Sequence, residues 1–151
     1  MTLSRALATW FGVGLLPWAP GTWGSLAALP FAWAIVRFAG WPWLAVAVVA
    51  VAAIGWWAAD RECVATGGAD PQHVVIDEVA GQWLVLLAAP LDPWYYAGGF
   101  ALFRALDIAK PWPAGWADRR LGGGLGVILD DLFAGVYGLI VLAFLRQLAS
   151  G

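Results

Sequence analysis

Charge is scarce in this chain of 151 residues: eight Lys and Arg and ten Asp and Glu make up only 12% of it. With a net charge of -2 and no basic block, nothing in the sequence matches the clustered cations that neutralise a phosphate backbone, which argues against nucleic acid as a partner. Histidine occurs once, at His73, so a mechanism built on a histidine nucleophile and a second catalytic histidine is excluded. Cysteine also occurs once, at Cys63, which rules out an intrachain disulfide framework and gives no zinc-ligand spacing. The VATGGAD that follows it has no arginine to hold a phosphate over a thiolate. There is no Gly-x-Ser-x-Gly for a serine hydrolase, no Asp-x-Asp run for a phosphoaspartate enzyme, and no Gly-Lys-Ser or Gly-Lys-Thr to complete a phosphate-binding loop.

What is abundant is apolar. At 62% hydrophobic residues and a mean hydropathy of +0.77, the composition lies outside the balance of a soluble domain and reads as a membrane protein. Twelve tryptophans fit that reading, because indole rings favour the boundary between hydrocarbon and water. The N-terminal MTLSRALATWFGVGLLPWAPGTWGS has Gly and Pro inside its apolar stretch, unlike a cleavable signal, and reads as mature chain.

Two apolar runs, Ser25 to Phe38 and Trp41 to Ala59, predict a helical hairpin turning at Gly40 to Pro42, with Arg37 at an interface. The polar DRECVATGGADPQH then predicts an aqueous loop. The run from Val79 to Phe103 is interrupted by Pro90, Asp92 and Pro93, so one kinked span and two half-length helices that dip in and return both fit. Keeping Arg104, Lys110, Arg119 and Arg120 on the same side as the preceding polar loop favours the return. A last helix is expected from about Leu129 to Leu148, after a flexible GGGLG turn at 122–126. The expected fold is therefore all-α: a small polytopic helical membrane protein of one domain, residues 1–151, with about four hydrophobic segments, one of them broken or re-entrant.

The acids are not scattered. Asp77 and Glu78 open one apolar segment, Asp130 and Asp131 open another, and Asp107 ends a third. Capping explains one acid at a helix start, and explains Asp107 worst, since an acid near a helix C-terminus faces carbonyl oxygens. Arg104 and Lys110 lie three residues to either side of Asp107, which suits an ion pair on one helical face. The sharper reading is that the acids converge on a hard divalent cation. Magnesium takes oxygen ligands and is commonly held by carboxylates together with a substrate phosphate. Lys110, Arg119 and Arg120 would then bind the remaining phosphate charge, or Arg119 and Arg120 would face lipid head groups. By elimination the chemistry is metal-assisted attack of water on a phosphoryl group.

The blocks PWAPGTWGSLAALPF (17–31), VVIDEVAGQW (74–83) and FRALDIAKPWPAGWADRRLGGGLGVILDDLFAG (103–135) resemble the signature blocks of the phosphatidylglycerophosphatase A family, in the family's order. The resemblance implies a multi-pass protein of the bacterial inner membrane, its site on the cytoplasmic face, that removes the terminal phosphate of phosphatidylglycerophosphate with magnesium. It implicates Gly21, Thr22 and Ser25, then Asp77 and Glu78, then Arg104, Asp107, Lys110, Asp118, Asp130 and Asp131. In that frame Asp77, Glu78, Asp107, Asp130 and Asp131 hold metal or activate water, and Arg104 and Lys110 bind phosphate. Thr22 and Ser25 either donate to phosphate or cap the first helix. Val13 departs from a frequent Ser, and Ala114 and Gly115 from the more usual Ile-Arg, so phosphate binding would lean more on Arg119 or Arg120. Two rivals remain. A CDP-alcohol phosphotransferase shares Gly-x-x-x-Asp at Gly126 to Asp130 but lacks the Asp-Gly-x-x-Ala-Arg that should precede it. A non-enzymatic cation carrier or assembly subunit would place its acids at mid-membrane depth.

Overall fold

A computed structural model describes residues 1–151 as seven α-helices with no strand: α1 (Leu3–Ala8), α2 (Pro20–Ala39), α3 (Trp41–Thr66), α4 (Ile76–Leu86), α5 (Pro93–Ala109), α6 (Ala114–Arg120) and α7 (Gly123–Ser150). The expected hairpin is present as α2 and α3. It turns at Gly40, whose φ of 95° is open to glycine, and Pro42 follows in the first turn of α3, where a missing N–H costs nothing.

Three boundaries differ from expectation. The stretch from Asp60 to Thr66, expected as loop, is the last two turns of α3, because charge alone does not end a helix and the first breaker is Gly67, which closes it in the left-handed region. The last helix begins at Gly123 rather than near Leu129, so GGGLG is the opening of α7 and no flexible turn. Its glycines allow close approach: a Cβ on Gly124 would meet the backbone of Trp56 and Asp60, and one on Gly126 would meet the Leu121 carbonyl. Asp60 Oδ1 accepts from Gly124 N at 3.2 Å, so a residue of α3 supplies the cap that Gly122 cannot. Third, Asp130 and Asp131 do not open a helix; they lie two turns inside α7.

The run from Val79 to Phe103 is broken, as its prolines suggest. Helix α4 stops at Leu86, a short connection follows, and Asp92 caps α5 by accepting from the N–H groups of Trp94 and Tyr95. The beginning of α4 and the end of α5 lie side by side, since carboxylate oxygens of Glu78 and Asp107 come within 4.8 Å of each other. The pair is therefore a hairpin that returns to its own starting level.

Helix α4 sits at the centre, packed against α7, α3 and α2. Its contact with α7 is made by small residues. A Cβ on Gly135 would fall 2.8 Å from the Gly81 carbonyl, and one on Gly138 would fall 2.5 Å from Val85. Trp83 of α4 donates its indole N–H to the Ala28 carbonyl of α2 at 2.8 Å inside the core. Around this centre, α3 and α7 are long and apolar enough to cross a membrane. Both turn large apolar side chains outward, among them Val46, Val49 and Trp57 on α3 and Ile140, Phe144 and Leu148 on α7. At about 1.5 Å per residue they run roughly 39 and 42 Å, longer than the roughly 30 Å of hydrocarbon. The bond from Gly124 to Asp60 sets the start of α7 beside α3 two turns before α3 ends, and further along Gly55 of α3 packs on Ile76 and Ile128, next to the acids.

Candidate functional site

The beginnings of α2 and α4, the end of α5, the second and third turns of α7 and the loop before α4 enclose a cleft of about 400 Å³. Asp77, Glu78, Arg104, Asp107, Lys110, Asp130 and Asp131 all line it. Three helices thus bring together acids separated by up to 54 positions in sequence. The small-residue seam explains how: a Cβ on Gly81 would lie 2.7 Å from the Asp131 carbonyl oxygen, so α4 and α7 cross closely one turn beyond Asp77. That crossing carries Asp130 and Asp131 against Asp77 and Glu78.

The carboxylates form two overlapping groups. Asp77, Asp130 and Asp131 make one, and Glu78, Asp107 and Asp131 the other, each with oxygens within 4.8 Å of one another. Asp131 belongs to both. It is 2% exposed, and Asp77, Asp107 and Asp130 are also buried. Asp77 Oδ1, Glu78 Oε2, Asp130 Oδ1 and Asp131 Oδ2 are buried with no hydrogen-bond partner. Packing like charges together out of water is costly unless a counter-charge is supplied. The protein's own cations answer part of this need. Arg104 donates to Asp107, while Lys110 Nζ donates to Asp130 Oδ2 at 2.6 Å and to Asp107 Oδ1 at 3.5 Å. Lys110 reaches both because it leaves α5 in the left-handed conformation, with φ at 47°. Burial works against its charge, but the bond to Asp130 and the nearby carboxylates outweigh that and raise its pKa. The orphaned oxygens remain, all of them hard donors, and the cluster fits a bound metal cation.

Asp107 is ion-paired through Arg104 and Lys110, as its spacing suggests, and also contributes an oxygen to the acidic cluster. The other sequence candidates lie elsewhere. Ser25 is fully buried and donates to the Gly21 carbonyl at 3.0 Å within its own helix, and Thr22 also lies outside the cleft lining. Neither residue is the N-cap of α2, which is Ala19. Arg119 and Arg120 are exposed at the end of α6 and do not line the cleft; Asp118 lies 4.0 Å from Lys110 at its edge.

Residues not singled out from the sequence are Asp70 and Gln72 in the loop before α4, which line the cleft, and Gln82, which is buried one turn beyond Glu78 with both amide atoms unpaired. Loop residues carry no periodicity, and Gln82 had only its i+4 spacing from Glu78 to mark it. Gly21 gains a physical role: a Cβ there would meet the Glu78 carboxylate and lie 3.3 Å from Arg104 Nη1, so only glycine leaves that wall of the cleft open.

Comparison with known proteins bears on what such a cleft does. The family described as phosphatidylglycerophosphatase A matches residues 6–146. The chain is 41% identical over 140 residues to phosphatidylglycerophosphatase A of Escherichia coli, covering 92% of this chain and 81% of that one. It is 35% identical over 137 residues to the Haemophilus influenzae protein of the same name, covering 90% and 84%. A Bacteroides thetaiotaomicron relative, provisionally named phosphatidylinositol-3-phosphatase, is 39% identical over 148 residues, covering 93% and 91%. No solved structure matches the chain.

Proposed function

The chain belongs to the phosphatidylglycerophosphatase A family, and from that premise we propose that it hydrolyses phosphatidylglycerophosphate to phosphatidylglycerol and inorganic phosphate in a magnesium-dependent reaction. The observation that supports this most is the cleft itself, where six carboxylates, Asp70 among them, and two cations meet and four buried oxygens lack any partner. Magnesium suits an all-oxygen donor set, and the residues to hold it are Asp77, Glu78, Asp107, Asp130 and Asp131. When bound, such an ion neutralises phosphoryl charge and lowers the pKa of water.

The remaining work falls to the protein. Arg104 and Lys110 each have donors beyond those spent on Asp107 and Asp130, and these bind the nonbridging phosphate oxygens. Gly21 leaves room for the phosphate to approach. Water adds to phosphorus as the bond from phosphorus to the glycerol oxygen breaks, and one carboxylate of the cluster takes the water proton and passes it on to the departing oxygen, which leaves as the alcohol.

The protein is a single membrane-embedded domain crossing the bilayer several times. Helices α2, α3 and α7 are its spans, and the α4–α5 hairpin is the broken segment that returns. The acids gather where the two ends of the α4–α5 hairpin meet, and in this reading that end lies at head-group level and not at mid-membrane depth, which favours a lipid phosphatase over a cation carrier. That level is the cytoplasmic face of a bacterial inner membrane, where Arg104, Lys110, Arg119 and Arg120 accumulate. The test is phosphate release by purified protein from phosphatidylglycerophosphate and, separately, phosphatidylinositol 3-phosphate, with magnesium and with a chelator. Release from the first lipid that stops with the chelator is expected. Preference for the inositol lipid would reassign the head group, and release unaffected by the chelator would remove the metal.

A further inference from the structure

Helices α2 and α5 do more than line the acidic cleft. They run antiparallel, because the start of α2 meets the end of α5 at Gly21 and Arg104, while further along Trp33 packs edge-on against Tyr96 with ring centroids 5.0 Å apart. Between them lies a second groove, of about 470 Å³, with walls of Leu26, Leu29 and Trp33 on one side and Tyr96, Ala97 and Phe100 on the other. Nothing charged lines it.

Its position relative to the cleft gives it a meaning. Leu26 follows Gly21 by five residues and Phe100 precedes Arg104 by four, so at about 1.5 Å per residue the groove opens roughly 6–8 Å from the cleft. By the same rise, Trp33 and Tyr96 lie about 12–18 Å from it along the helices. That reach is comparable to the roughly 15 Å of hydrocarbon in one leaflet, half the bilayer core. A polar cleft and an apolar groove are thus aligned end to end on one pair of helices, in the order in which a phospholipid presents its phosphate and its tail.

We propose that the α2–α5 groove holds one acyl chain of the lipid whose phosphate occupies the acidic cleft. This rests on the phosphatase reading for the substrate's identity. The groove makes this chain a selector of lipid tails as well as head groups: a tail that fills it adds apolar contact, and a tail too short to reach Trp33 forfeits that contact.

A diacyl phosphatidylglycerophosphate carrying a photoactivatable diazirine midway along one chain, irradiated with the wild-type protein in detergent, tests this directly. Adducts are expected at the groove residues, above those at Val46 and Val49 on the outward face of α3. Excess unlabelled phosphatidylglycerophosphate should suppress them, and phosphatidylcholine should not. Ala97→Trp and Leu26→Trp, which fill the groove from either wall at exposed positions, should remove the adducts. The same variants should lower kcat/KM for a long-chain substrate relative to a dihexanoyl one by about tenfold, the order expected for lost methylene contacts. Adducts spread evenly over α3 and the groove, adducts to a second copy of the chain across the groove, or an unchanged long-to-short ratio in both variants would each overturn the proposal. Absence of phosphate release from any lipid would instead count against the phosphatase reading, and the adduct map would still report on the groove.

Discussion

At the scale of single residues, Asp131 is the point on which the cleft turns, because it alone belongs to both carboxylate groups and is nearly sealed from water. Its charge is a burden to the metal-free protein and an asset to the loaded one. With a chelator present, Asp131→Asn should therefore melt at a higher temperature than wild type, since one buried like charge is gone. With magnesium in excess the order should reverse, because wild type gains binding energy that the variant forfeits. Differential scanning fluorimetry in detergent reads both arms; identical melting in the two conditions would contradict a metal at this residue. Arg104 and Lys110 make charge-assisted hydrogen bonds, worth about 1.5–3 kcal/mol each, so Arg104→Gln or Lys110→Gln should each lower kcat/KM by roughly 10- to 100-fold. Steady-state phosphate release measures this.

Among the elements, the crossing of α4 and α7 does the assembling. Gly81→Ala would push a methyl into Phe103 and toward the Asp131 carbonyl, and should destabilise the fold by about 1–3 kcal/mol, a loss visible as a lower melting temperature. Near wild-type stability in that variant would mean the seam is looser than described. The sequence carried some of these elements openly. Gly40 and Pro42 punctuate the α2–α3 hairpin, and Pro90, Asp92 and Pro93 mark the break between α4 and α5. It concealed others for physical reasons. Asp60, Arg61 and Glu62 look like loop by charge, yet they continue α3 because no breaker intervenes before Gly67. GGGLG looks like a flexible turn, yet its glycines let α7 lie against the α3 backbone. The carboxylate set was legible as acids gathered near apolar boundaries. What the sequence could not give was the register that carries Asp130 and Asp131, two turns inside α7, to Asp77; that register is set by Gly81 and Gly135, whose importance appears only when the helices are in contact. The same limit applies to Ser25, whose hydroxyl looked available to phosphate and is spent on the Gly21 carbonyl.

For the whole molecule, the arrangement is one of depth. Two helices long and apolar enough to cross a membrane flank a short returning hairpin, and the acidic cleft lies where the two ends of that hairpin meet. In the proposed reading the lipid phosphate enters this cleft and one tail runs down the α2–α5 groove beside it. Because the cluster is short of positive charge when empty, magnesium should stabilise the entire protein, raising its melting temperature by an amount that grows with concentration above the dissociation constant. A titration that leaves the melting temperature flat would show that the cation does not bind the folded chain. The most direct measurement is phosphate release from phosphatidylglycerophosphate by wild type and Asp131→Asn under saturating magnesium. A fall of more than about 100-fold in the variant, larger than the loss typical of outer-sphere partners, is the predicted result. Turnover close to that of wild type would contradict the assignment of this cleft as the site of hydrolysis.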